Sequence, residues 1–331
     1  MNSERLRALT SWHSDWKNLR VLVVGLGETG FAVVDTLCEL GCEVAVVSEG
    51  APADYLNLAE VVGARTVVTK NVSDRVAVVS AQDWDVAVVS PGVTTADPVV
   101  HALSDRGIPL WSDLELASRL RDKGDVVAEW VIVQEYPGAT TTAEVAARIF
   151  EAAEHPARVV GFGAPPILDA LRDPHPYLSL IILVSESSTT WWARYPDTQR
   201  RPAMTVSLAS EPTEESGVFY DATEGACVYL RGMGSTEAQV QDAEVVEGAR
   251  AIGIGLDSPG MSDLGVVEGI IVDRAFLDDR AHQALEISTV EELSEAGWTI
   301  PEQLPAVMAA VAIARARDIS PALIAGVLSL P

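Results

Sequence analysis

Short, unbroken valine-rich runs alternating with stretches of helical spacing constrain this chain more than any other feature. Residues 21–24, 43–47, 66–69, 86–90 and 109–111 read as strands. Continuous apolar runs of this kind suit a parallel sheet covered on both faces, where no polar face has to be kept for water. Between them, residues 30–40, 53–62 and 97–106 carry helical periodicity, so the first part of the chain predicts a series of β-α units and a Rossmann-like domain. The polar segment 121–125 is the expected boundary, giving domains of residues 1–125 and 126–331. A second alternation follows, with strands expected at 130–133, 158–160, 179–184, 204–209, 251–255 and 266–272, and helices at 305–316 and 320–327.

Length and composition bound the function. A chain of 331 residues accommodates about two domains with cores of their own. No apolar run reaches the roughly 18 residues of a membrane helix, so no membrane insertion is expected. The first residues lack a secretory signal, which makes the cytoplasm the expected location. A net charge of -25 repels nucleic acid, which excludes it as an expected partner. Cys38, Cys42 and Cys227 lack zinc-type spacing and read as buried thiols. The five histidines are scattered, and none pairs with a nucleophile.

Three segments carry ligand-binding character. Gly25-Leu26-Gly27-Glu28-Thr29-Gly30 follows the first strand and opens a helix, the context in which glycines let a phosphate approach a helix N-terminus. Ser90-Pro91-Gly92 ends a later strand, where open α/β sheets bind ligands, although Pro-Gly is also a strong turn former. The third segment, Trp130 to Phe150, has the outline of a phosphate-binding loop between a strand and a helix. In such a loop a lysine reaches the terminal phosphates and the next hydroxyl holds magnesium. Gly138, Thr140, Thr141 and Thr142 keep the turn glycine and the hydroxyls, but Ala139 stands where the lysine belongs and Glu135 adds a negative charge. Strand, glycine and threonines taken alone also describe an ordinary capped helix.

These motifs, in order and spacing, together with the segment 107–117 and the segments 247–253, 264–276 and 309–315, resemble the Mur ligases, nearest to the branch that adds D-glutamate. The resemblance implies an N-terminal domain for a UDP-N-acetylmuramoyl species, a P-loop-like central ATPase domain, and a third domain expected to be absent from this chain. It places Gly25, Leu26, Gly27, Glu28, Thr29, Gly30, Ser48, Ser90, Pro91 and Gly92 around the uridine nucleotide, with Ser48 replacing an aspartate. In the central domain the family's magnesium-binding glutamate falls near Leu183 or Ser185, its Asp-His pair near Glu211 and Pro212, and its carbamylated lysine near Ala226. Phe162 and Ala164 stand in a substrate-contacting turn, and Glu302-Gln303 stands for the adenine-side His-Asn. The family's ATP and magnesium are therefore not expected to serve here, and no catalytic or metal-binding residue is assigned. A pseudoenzyme that binds the UDP-precursor and regulates or scaffolds cell-wall synthesis proteins is the expectation, with an active ligase, or part of one completed by another polypeptide, as the alternative.

Overall fold

The computed structural model describes residues 2–193 and 200–330. The chain folds as two compact units: Met1–Val127 with Pro165–Pro176 and Ser187–Arg200, and Ala128–Ala164 with Tyr177–Glu186 and Arg201–Pro331. The main division thus falls just after the polar segment 121–125, while two later segments belong with the first unit and make neither unit contiguous.

The first unit begins with α1 (Asn2–Ala8) and continues β1 (Arg20–Val24), α2 (Glu28–Glu39), β2 (Glu43–Ser48), α3 (Ala53–Val61), β3 (Arg65–Val68), α4 (Val72–Ala81), β4 (Val86–Val89), α5 (Pro98–Asp105), β5 (Leu110–Ser112) and α6 (Asp113–Arg119). Its five strands are all parallel in the order β3-β2-β1-β4-β5. The valines of β1 and β4 are buried, which is why these strands show no alternation. Helices α1, α4 and α6 were not foreseen. α4 has a β-branched composition, but Asn71 caps it by accepting the Ser73 N–H at 3.0 Å. Ser112 starts α6 in the same way, through the Glu115 N–H.

The second unit contains β6 (Glu129–Gln134), α7 (Ala139–Ala152), β7 (Ala157–Gly161), then, after α8 (Ile167–Arg172) of the first unit, β8 (Ser179–Val184). Beyond α9 (Glu186–Ala193) come β9 (Met204–Ser207), a 3-10 turn, β10 (Ala226–Leu230), α10 (Gly234–Asp242) and β11 (Arg250–Ile254). The chain then runs through β12 (Asp263–Val267), β13 (Ile270–Asp273), β14 (Leu285–Thr289), α11 (Val290–Glu295), α12 (Leu304–Arg315) and α13 (Pro321–Leu328). The nine strands run β14-β13-β12-β11-β10-β9-β6-β8-β7, parallel from β12 to β7. The expected single strand at 266–272 is instead an antiparallel hairpin, with Val267 paired to Ile270. Glu268 and Gly269 both take positive φ, +50° and +81°, the two-residue turn that matches strand twist. β10 and β14 also lay outside the expected set.

α12 explains its alanines. Every residue except Pro305 is buried, and the helix packs on α7 in the main core. Small side chains let two helices approach without voids. Its one buried cation, Arg315, donates Nε–H to the fully buried Asp273 at 2.8 Å, so the charge is paired where water cannot reach it.

Candidate functional site

The glycine turn of the first unit sits between β1 and β4, the point where strand order reverses and where open α/β sheets bind ligands. Its three glycines occur as G-x-G-x-x-G and each has a separate task. Gly25 has φ +97° and makes the sharp exit from β1. A Cβ on Gly27 would meet nothing within 4 Å, so the backbone at the start of α2 is open to a ligand. A Cβ on Gly30 would lie 2.3 Å from the Gly25 carbonyl oxygen and 3.0 Å from Ser90 Oγ, so only glycine lets the helix pack onto the turn.

α2 has no side-chain cap at Gly27. Its first N–H groups and helix dipole therefore face the open side, an arrangement that favours a phosphate. Ser90 buttresses the turn by donating its hydroxyl to the Gly25 carbonyl at 3.2 Å. Pro91 and Gly92 continue into a turn closed by Val93 N–H on the Ser90 carbonyl. Leu26 is buried, whereas Glu28 is exposed and Thr29 half-buried. Ser48, at the end of β2, is buried and its hydroxyl donates to the Gly50 carbonyl at 2.6 Å.

Trp191 belongs to the first unit's core and donates its indole N–H to the Val93 carbonyl at 3.2 Å, while Trp192 lies under the Arg200 guanidinium. Beside them is a buried charge network that the sequence did not signal. Glu115 is fully buried and accepts from Arg119 at 2.7 Å, and Arg200 approaches its other oxygen at 3.7 Å. Burial lowers the Arg200 pKa to about 10. Asp113, also buried, is pushed up to about 6 by desolvation, against the lowering effect of backbone N–H donors at Leu114 and Asp113.

The second loop is differently made. Ala139 N–H donates to the Tyr136 carbonyl at 2.9 Å. Pro137 and Gly138 occupy the two central positions, and Gly138 has φ +104° and ψ 0°, the pattern of a type II turn. The Tyr136 ring folds inward and is buried. Its hydroxyl lies 2.5 Å from Thr142 Oγ1, which donates to the Ala306 carbonyl of α12 at 2.9 Å. Desolvation raises the Tyr136 phenol far above its ordinary pKa. A Cβ on Gly138 would be 3.0 Å from the Ala306 methyl. Thr140 is exposed, Thr141 half-buried and Thr142 fully buried. Nearby, Leu183 lies in the core and Glu135 accepts the Glu186 N–H at 3.3 Å.

Comparison with known proteins agrees with the first unit's geometry. The family model for the Mur ligase MurD-like N-terminal domain matches residues 19–112. A UDP-N-acetylmuramoylalanine--D-glutamate ligase of Leifsonia xyli subsp. xyli is 40% identical over 346 aligned positions, covering 99% of this chain and 67% of that protein. The corresponding ligase of Tropheryma whipplei is 35% identical, with coverage of 96% and 67%. Among solved structures, a UDP-N-acetylmuramate:L-alanyl-gamma-D-glutamyl-meso-diaminopimelate ligase from Neisseria meningitides shares the fold. Its TM-score is 0.53 at 12% identity, covering 94% of this chain and 98% of that one.

A glycine turn at the switch point of one parallel sheet and a second sheet that begins strand-turn-helix, taken with these matches, place the protein in the Mur ligase class. The chain belongs to the Mur ligase family of peptidoglycan precursor synthesis, on its MurD-like branch.

Proposed function

We propose that this chain is a MurD-like protein that holds a UDP-N-acetylmuramoyl species in its first unit and no longer carries out ATP-dependent ligation. It acts in the cytoplasm as a regulatory or scaffolding partner of cell-wall synthesis proteins. Gly25, Gly27 and Gly30 with Ser90 support the binding half of this reading, because they leave a helix N-terminus open to phosphate.

The closed turn at Tyr136–Ala139 carries the other half. A phosphate loop works by turning several backbone N–H groups onto the phosphates and adding a lysine. Here the Ala139 N–H is bonded within the turn, the side chain at that position is a methyl group, and Tyr136 with Thr142 and Ala306 fills the space behind it. The residues present do not fit ATP with magnesium. Loss of a cation facing a transferring phosphoryl group typically costs several kcal/mol of transition-state stabilisation.

The names of the relatives favour a second reading, an active D-glutamate ligase or part of one completed by another polypeptide. Calorimetric titration with UDP-N-acetylmuramoyl-L-alanine and, separately, with magnesium-ATP separates the two. Saturable precursor binding without ATP binding is expected. ATP binding, or ADP release with precursor, D-glutamate and magnesium, overturns the proposal.

A further inference from the structure

The second unit holds a cavity of about 450 Å³ at the N-terminal ends of β6, β9, β10 and β11. In a parallel sheet this edge is opposite the one from which the Tyr136 turn projects, so the cavity is separate from that turn. Its volume lies within the range of small-molecule sites.

Three arginines line it, and they are not equivalent. Arg315 is fully engaged, with Asp273, the Ile319 carbonyl at 2.7 Å and the Phe276 carbonyl at 3.2 Å. Arg317 is paired with Glu129. Arg250 is half-buried with its guanidinium over the Phe276 ring, 5.2 Å from the centroid, and among the described residues no carboxylate comes within 4 Å of it. Desolvation, together with the charge of Arg280, lowers its pKa from the ordinary value. On the same lining, Asp278 and Asp318 are exposed and likewise have no ion-pair partner among the described residues, while Glu224 faces Arg201 at 3.7 Å; Asp278 lies next but one to the Phe276 that covers Arg250.

One cavity therefore presents a cation and a carboxylate that do not neutralise each other. We propose that it binds a small zwitterion of the amino-acid or short-peptide class, its carboxylate on Arg250 and its ammonium toward Asp278. The Phe276 ring lies on one side of the guanidinium, whose N–H groups make no hydrogen bond among the described residues and can donate to a carboxylate in the paired fashion in which arginine binds strongly. A plain anion is the weaker fit, because Asp278 and a chain of net charge -25 oppose its entry. A ligand with both charges avoids that opposition. This inference is independent of the function proposed for the glycine turn.

The test is titration of the full chain, followed by NMR, with acetate, methylammonium, glycine, diglycine and triglycine, a series that varies the separation between the two charges. At least one of the three zwitterions is expected to saturate tenfold or more tighter than acetate and methylammonium. That binding is expected to fall at least tenfold in Arg250→Ala and to weaken in Asp278→Asn, with the glycine-turn ligand bound as before. Should Arg250→Ala fail to fold, the exposed Asp278→Asn decides alone. The proposal is overturned if no zwitterion saturates, if acetate binds as well as the best of them, or if both variants bind like the parent.

Discussion

The two strand-turn-helix loops of this chain start from similar sequence and end with opposite space around them. At Gly25–Gly30 the structure keeps room: Gly27 faces nothing within 4 Å, and α2 begins without a cap. At Tyr136–Ala139 the chain fills the equivalent room with its own atoms. A turn hydrogen bond takes the Ala139 N–H, and the Tyr136 ring is buried against α12. A glycine after a strand thus says only that the chain turns sharply there. Whether the turn can hold a ligand depends on the side chains one and two residues before it.

Gly30→Ala tests the first loop most severely. Alanine gains about 1 kcal/mol of helix propensity over glycine, but the added carbon would sit 2.3 Å from a backbone oxygen that cannot rotate away. Sterics win, with an expected net loss of about 2–4 kcal/mol, read as a lowered melting midpoint and loss of precursor binding. Gly27→Ala is the control: the midpoint should hold while precursor affinity drops. Equal behaviour of the two variants would break the assignment of separate roles to the glycines.

Acidity separates the units next. The Asp113 carboxyl of the first unit has moved from its ordinary 3.8 to about 6, which costs the folded state about 3 kcal/mol at neutral pH. A raised carboxyl leaves full stability below 3.8 and loses it as pH climbs through 6. Asp113→Asn is therefore expected to raise the melting midpoint at pH 7.5, and the gain should vanish by pH 4. No such change is expected from the Tyr136 turn, whose phenol stays neutral throughout that window. A gain independent of pH would show that burial of charge is not its source.

Much of this contrast could be read from the chain in advance, and the unread part has physical causes. Valine runs gave away the parallel strands because both faces of those strands are covered, and Gly25 through Gly30 announced a turn that no other residue permits. The hairpin did carry a signal, Glu268-Gly269 between two short apolar runs, but each run is so short that the pair reads as one strand of ordinary length. The approach of Arg200 to Glu115 and the Arg250 cavity were illegible because each depends on partners far along the chain, and periodicity carries no information about those. The hydroxyl of Ser48 closes on Gly50, a local bond that composition cannot reveal.

Thr142→Val probes the filled loop with a smaller effect. The hydroxyl that bridges Tyr136 and the Ala306 carbonyl disappears, leaving polar atoms in a dry place. A cost of about 1–3 kcal/mol is expected, measured by denaturant unfolding, with precursor binding unchanged. Altered precursor affinity would mean that the two loops are coupled, and the comparison would lose its independence.

Ala139→Lys should change least, and it bears directly on the proposal that the second loop no longer holds a nucleotide. The substitution returns the missing cation to the helix start, but it leaves the main-chain N–H of residue 139 bonded to the Tyr136 carbonyl and the Tyr136 ring in place. If shape is what excludes the nucleotide, titration of this variant with magnesium-ATP gives no heat, and binding returns only when Tyr136 and Pro137 are also replaced by residues that let the turn open. Heat from the single variant would instead show that one charge was all the loop lacked, and the second loop would then stand beside the first as a site kept open rather than one that has been filled.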